Sequence, residues 1–311
     1  MRKEFPRIPE DYVMPLNMNG LKGRMLRMPP PKNKKREVLL VYGHHSSLER
    51  MYSFAQVIND YAGVTMPDLP GFGGMDSFYK INEKPDLNTM ADYVASIVRL
   101  RFKNKKFTIA GISYGFIVVT RMLQRYPDIA KQVDDLVSVV GFAHHEDFIF
   151  SSTRKTLYRA GTKFFSHKVP AVLFRNIFLQ PIILRALYSK THNAKHKFEG
   201  LEGQERQILT DFEVYLWRIN DLRTHMATNH SFLVFDNCRQ KIDVHVWHIS
   251  VKADNYFDSH VVEQHMRVIF SGFTDCPSTV KKHMPNVIAG KKEAARIMPR
   301  PIRQLLNKQP S

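Results

Sequence analysis

Residues 107–123 leave this chain few ways to fold. Phe107-Thr108-Ile109-Ala110 is a short apolar run that reads as a buried strand. Gly111-Ile112-Ser113-Tyr114-Gly115 must turn, and Val119, Met122 and Leu123 then interleave with Arg121, Gln124 and Arg125 as on a helix with one apolar face. A serine between two glycines, on a turn joining a strand to a helix, is the arrangement that holds a hydroxyl out on a strained backbone, where flanking chain passes too close for a Cβ. The pentapeptide by itself is also compatible with a Gly-rich turn carrying a surface serine, so the flanks must decide between the two.

Upstream, Val13–Leu16 and Gly23–Met28 read as a strand pair around Asn17-Met18-Asn19-Gly20, and Pro29-Pro30-Pro31 with Lys32–Arg36 reads as a stiff charged connection. Val38-Leu39-Leu40-Val41-Tyr42 is a continuous apolar run, as suits a strand covered on both faces, and it ends in Gly43-His44-His45. A helix is expected over 48–61, a strand over 63–66 ending in Pro67-Asp68-Leu69-Pro70-Gly71-Phe72-Gly73, and a helix over 87–101. After the serine turn, 135–141 reads as a strand ending in His144-His145-Glu146-Asp147. Residues 148–238 break the alternation with apolar, helix-like stretches. Further strands are expected at 244–250 and 266–270, and a closing helix at 291–298. Strands alternating with helices predict an α/β fold with a doubly wound, mostly parallel sheet, whose sites lie at the carboxyl ends of the strands.

Three of those ends together resemble the α/β-hydrolase superfamily. The Gly43-His44 loop is similar to its H-G-x oxyanion loop, Asp68-Leu69-Pro70-Gly71-Phe72-Gly73 to its D-x-P-G-F-G loop, and Gly111–Gly115 to its nucleophile elbow, in the same order. Tyr42 departs from the pattern, since many members carry His there; the change touches a side chain supporting the loop, not the backbone donor. The resemblance implies a core of residues 1–147 and 239–311 with a helical cap, 148–238, inserted before the last two strands.

A serine hydroxyl needs a base within hydrogen-bond reach, and that base needs an orienting acid. The family's chain order is serine, acid, histidine, and the resemblance implies Ser113 as nucleophile, Asp254 just past a strand as acid, and His283 after the last strand as base. Asp258, one helical turn on, and Asp147, after the preceding strand, remain open as the acid. His260 and His265 are disfavoured because they precede or begin the expected last strand. The backbone N–H groups of Tyr114 and His44 are the implied oxyanion donors. A serine at the elbow argues against the relatives that use aspartate there and favours esterases, lipases, amidases, thioesterases and carbon–carbon hydrolases. The expected function is a serine hydrolase cleaving an ester-like bond of a small hydrophobic acyl substrate, without a cofactor. The rival is a non-catalytic protein of the same fold that binds through its cap and basic surface. Adjacent His44 and His45 lack spaced acidic or thiolate partners, so no metal is expected.

The net charge of +17 gathers at the ends: residues 1–36 carry ten Lys/Arg against three acids, and 280–311 carry eight against one. With no zinc-finger spacing or aromatic RNA-binding strand beside it, specific nucleic-acid binding is not expected. Contact with an anionic membrane is a third reading, because Val172-Leu173-Phe174, Ile177-Phe178-Leu179 and Pro181–Leu184 mix apolar bulk with Arg175 and Arg185. No run is long and apolar enough to predict a spanning helix, the first residues lack the apolar stretch of a secretory signal, and two isolated cysteines, Cys238 and Cys276, point to a cytoplasmic setting.

Overall fold

A computed structural model describes residues 7–190, 203–252, 254–280 and 290–308. Eight strands form one sheet: β1 (Val13–Met18), β2 (Leu21–Met28), β3 (Glu37–Val41), β4 (Gly63–Pro67), β5 (Phe107–Ile112), β6 (Val133–Val139), β7 (Ile242–Ile249) and β8 (Phe270–Asp275). Their spatial order is β1-β2-β4-β3-β5-β6-β7-β8. β1 and β2 form a hairpin, β2 meets β4 antiparallel, and every pairing from β4 to β8 is parallel. The near-continuous apolar runs of the central strands follow from this. β4 and β5 are buried at every position, as strands covered on both faces must be. β7, nearer the edge, alternates at its start, with Ile242 and Val244 buried and Asp243 and His245 exposed.

The helices α1 (Leu48–Asn59), α2 (Leu87–Arg101), α3 (Tyr114–Arg125) and α4 (Pro127–Ala130) connect the first strands. α2 is bounded by a capping box in which the Asp86 carboxylate accepts the Asn88 and Thr89 N–H groups. Between β6 and β7 lie α5 (Ser152–Phe165), α6 (Lys168–Phe178), α7 (Pro181–Lys190), α8 (Gly203–Ile219) and α9 (Leu222–Phe232); α10 (Ser259–Ile269), α11 (Lys291–Ile297) and α12 (Arg300–Asn307) complete the described α-helices.

The expected strand over 266–270 is instead the end of α10. Asp258 caps that helix, and Val262, Met266 and Ile269 recur at helical spacing to bury one face. The last strand begins only at Phe270. It runs so close to β7 that a Cβ on Gly272 would lie 2.2 Å from His245 Nδ1.

The register matters most for the site. Val41 pairs with Gly111, Ile112 with Val139, and Val139 with Ile249. The chain therefore leaves β3, β5, β6 and β7 at neighbouring points along one edge of the sheet, at Tyr42, Ser113, Val140 and Ser250.

Candidate active site

Ser113 sits at φ 48° and ψ −116°, a conformation that L side chains rarely adopt. Its N–H donates to Val139 O at 3.0 Å and its carbonyl accepts the Phe116 N–H at 2.9 Å, so β6 on one side and the first turn of α3 on the other fix the strained residue. Both flanking glycines are required by space. A Cβ on Gly111 would stand 2.7 Å from Phe116 Cα, and one on Gly115 would stand 2.2 Å from Val41 O. Tyr114 follows as the first residue of α3, where helical N–H groups have no partner within the helix.

The loop after β3 lies alongside. A Cβ on Gly43 would be 3.2 Å from Ile112 O and 3.5 Å from Ser113 Cβ. Tyr42 underpins this loop: its hydroxyl donates to Asp68 Oδ1 at 2.8 Å and accepts the Leu69 N–H at 2.8 Å, with both side chains buried. Asp68 also accepts from the Leu48 N–H at 3.2 Å and from Arg24 Nε at 2.9 Å. Burial pushes its carboxyl up to about 7, against the pull of Arg24. Asp68 is thus a structural hub joining β2, the β3 loop and α1.

His44 and His45 turn to different partners. His44 Nε2 lies 2.8 Å from Thr228 Oγ1, whose own proton goes to Thr224 O at 2.7 Å, so the imidazole is the donor and carries its proton on Nε2. Phe72, Tyr114, His225 and Phe232 surround the ring, with centroids 4.4 to 5.5 Å away. Burial holds His44 well below its ordinary pKa. His45, in the left-handed region at φ 51°, packs against the Trp217 ring with centroids 4.2 Å apart and planes tilted by 43°, has Nδ1 3.2 Å from Asn220 Nδ2, and has Nε2 3.9 Å from Glu213 Oε2.

The three acids have separate surroundings. Asp258 caps α10, its Oδ1 accepting the His260 and Val261 N–H groups at 2.9 and 3.3 Å. Asp147 is fully buried. Its Oδ2 accepts the Ala143 and His144 N–H groups at 2.7 and 3.0 Å, and its Oδ1 pairs with His265 Nδ1 at 2.5 Å. Asp254 stands half-buried on the loop after β7, with Oδ1 accepting the Tyr256 and Phe257 N–H groups at 2.8 and 3.2 Å, and it lines a small cavity with Val140, Gly141 and His248. His283 lies outside the described residues. His265 is on α10, not at a strand start; the apolar run after it resembles a strand in the sequence, which hides its contact with Asp147. His144, Glu146 and His265 each bring a ligand atom within 4.8 Å of the others, a donor set that could hold a divalent cation; Glu146 is largely exposed and His144 Nδ1 already accepts its N–H at 3.2 Å.

Sequence reasoning also missed the residues that α8 and α9 send to this edge. Asn220 Oδ1 accepts the Gly73 N–H at 2.8 Å and the Asp221 N–H donates to Gly71 O at 2.8 Å, which ties the inserted helices to the Asp68 loop. One signal was available: Glu213 falls in the stripe of Leu209, Phe212 and Leu216, and an acid there is an acid facing inward. It is fully buried and takes the Tyr188 hydroxyl at 3.0 Å.

No protein-family model matches the chain, and no curated protein matches its sequence. Solved structures do. A membrane phospholipase A described as a bacterial virulence factor superposes with a TM-score of 0.64 at 14% identity, over 95% of this chain and 86% of that one. A thermophilic esterase from Thermogutta terrifontis gives 0.61 at 14%, over 95% and 98%. The enol-lactonase from Burkholderia xenovorans gives 0.61 at 10%, over 86% and 92%. At such identities the likeness is one of fold: the chain has the α/β-hydrolase fold, and the similar structures are those of hydrolases.

Proposed function

We propose that this chain is a serine hydrolase that cleaves an ester-like bond of a small hydrophobic acyl substrate through an acyl-enzyme on Ser113. The observation behind this reading is the strained Ser113, wedged between two glycines that admit no Cβ and lying beside the Gly43-His44 loop. Esterase, lactonase and phospholipase neighbours agree with an ester-like substrate, and the rings of Phe72, Phe232 and Tyr114 around His44 agree with an apolar acyl group.

In this mechanism Ser113 Oγ attacks the carbonyl carbon as His283 takes the hydroxyl proton. Asp254 holds the imidazolium that forms. The negative charge on the carbonyl oxygen lies against the N–H groups of His44 and Tyr114, strongest where water is excluded. Collapse breaks the bond to the leaving oxygen, which receives the proton from His283. Water, deprotonated by the same imidazole, then attacks the acyl carbon and Ser113 regains its proton. Two contacts support His283 as the base: the Cys276 and Ser278 N–H groups donate to His248 O and Ser250 O at 2.7 and 2.8 Å, so the chain as far as Ser278 runs along the carboxyl end of β7.

A series of nitrophenyl esters of increasing acyl length tests the reading. Turnover that favours one length and is lost in Ser113→Ala is expected. No turnover across the series, or turnover that Ser113→Ala retains, contradicts it.

A further inference from the structure

α6 and α7 are turned inside out. In α6 the apolar stripe Val169, Val172, Leu173 and Ile177 is exposed, while Ala171 is buried and Arg175 reaches inward to donate to Arg218 O and Asn220 O at 3.3 and 2.5 Å. In α7, Ile182, Ile183 and Leu187 face outward, while Leu184 is buried. α5 adds Leu157 and Phe164 at a spacing of seven, the same face two turns on. Among the described residues, twelve of the seventeen exposed large apolar side chains lie between 149 and 187, with Val169 68% and Ile182 80% exposed. So dense a patch marks a surface meant to be covered.

Charge identifies what covers it. Residues 148–190 contain eight Lys/Arg and neither Asp nor Glu. Lys163 and Lys168 border the stripe in sequence and are exposed, and Arg154 lies 4.1 Å from the Phe150 ring centroid. A second copy of this positive, apolar face would repel the first. A layer that is apolar inside and anionic at its surface matches both properties. No single described helix is long and apolar enough to cross a membrane; α6 and Pro181–Tyr188 reach that length and apolarity only together, and they are bent by 70° at their junction. Two helices set at that angle are not one straight span.

We propose that α5–α7 form a docking surface for an anionic lipid bilayer, with the α6–α7 bend seated among the acyl chains and the lysines and arginines at the headgroups. The surface is one layer from the site. Arg175 holds Asn220 O, and the Asn220 side chain meets both His45 and the Gly73 N–H. The docked bilayer therefore lies against the helices that cover the Ser113 edge.

The test is co-sedimentation of Ser113→Ala protein with phosphatidylcholine vesicles and with vesicles also containing phosphatidylglycerol, so that catalysis plays no part and the hydrolase reading stands or falls separately. Binding to the anionic vesicles that weakens with salt is expected. Lys163→Ala with Lys168→Ala should weaken it about fivefold per charge. Ile177→Ser with Ile182→Ser, at exposed positions that leave the circular dichroism unchanged, should weaken it roughly tenfold or more per residue. Absence of binding, equal binding to both vesicle types, or indifference to either pair of substitutions overturns the proposal. So does a stable dimer in solution that Ile177→Ser with Ile182→Ser dissociates.

Discussion

The Tyr42 hydroxyl donates to Asp68 Oδ1 at 2.8 Å and accepts the Leu69 N–H at the same distance, so one buried group joins the loops that follow β3 and β4. Tyr42→Phe removes both bonds without opening a large cavity. It should cost about 2 kcal/mol, because a buried N–H loses its acceptor and a buried carboxylate a donor. Urea unfolding measures this, and acyl transfer to Ser113 should slow in parallel as the Gly43-His44 loop loses its support.

The glycines beside Ser113 are expected to tolerate nothing larger. A Cβ at Gly115 meets two backbone carbonyl oxygens, 2.2 and 2.4 Å away on Val41 and Tyr42. Backbone cannot rotate aside as a side chain can, so Gly115→Ala should lower stability by about 3 kcal/mol. Gly74→Ala is the informative contrast. Nothing lies within 4 Å of its Cβ position, so its cost comes only from the left-handed backbone at φ 85° and should be smaller. Thermal melts of the two variants should rank in that order.

The three candidate acids should separate by what each loss does. Asp254→Ala should lower kcat/KM on the order of 10³-fold or more with the fold intact, as expected for the acid that orients a catalytic base. Asp258→Ala should cost about 1 kcal/mol of stability through loss of the α10 cap and leave turnover unchanged. Asp147→Ala should cost about 2 kcal/mol or more, because it leaves the Ala143 and His144 N–H groups and His265 without their carboxylate. Turnover surviving in Asp254→Ala but not in folded Asp147→Ala would reassign the acid.

Acid should destabilise the protein before most of its carboxylates titrate. Burial lowers His225 from 6.5 to about 3 and His248 from 6.5 to about 4. The folded state therefore accepts each ring only as the neutral form, while the unfolded chain takes up a proton near 6.5. Their contribution is complete above pH 6.5 and is lost as the pH falls from there toward 4 and then 3, at about 1.4 kcal/mol per pH unit for each group. Urea midpoints between pH 7 and 5 should fall accordingly. In His248→Asn the slope should be shallower by one proton, and an unchanged slope would show that His248 is not buried neutral.

The sheet was legible in the sequence because its strands are short apolar runs ended by glycine, proline or charge, and the serine turn because its glycines sit where backbones collide. β8 was not, because Met266–Phe270 is apolar enough to be a strand and only the Asp258 cap and the Val262–Met266–Ile269 spacing mark it as a helix end. The Gly43-His44 loop was visible as a motif. What packs on it was not: Trp217 on α8, Thr228 on α9 and Asn220 between them lie more than 170 residues further along the chain, and no local pattern encodes such a contact. Polar residues facing inward, of which Glu213 is the clearest, were the trace they left.

Labelling with a fluorophosphonate probe reports whether the Ser113 hydroxyl is a nucleophile. One covalent adduct per chain is expected, mapped by mass spectrometry to Ser113, absent from Ser113→Ala and slowed in His283→Ala. A native, folded protein that takes up no probe, or an adduct that Ser113→Ala forms equally well, would contradict it.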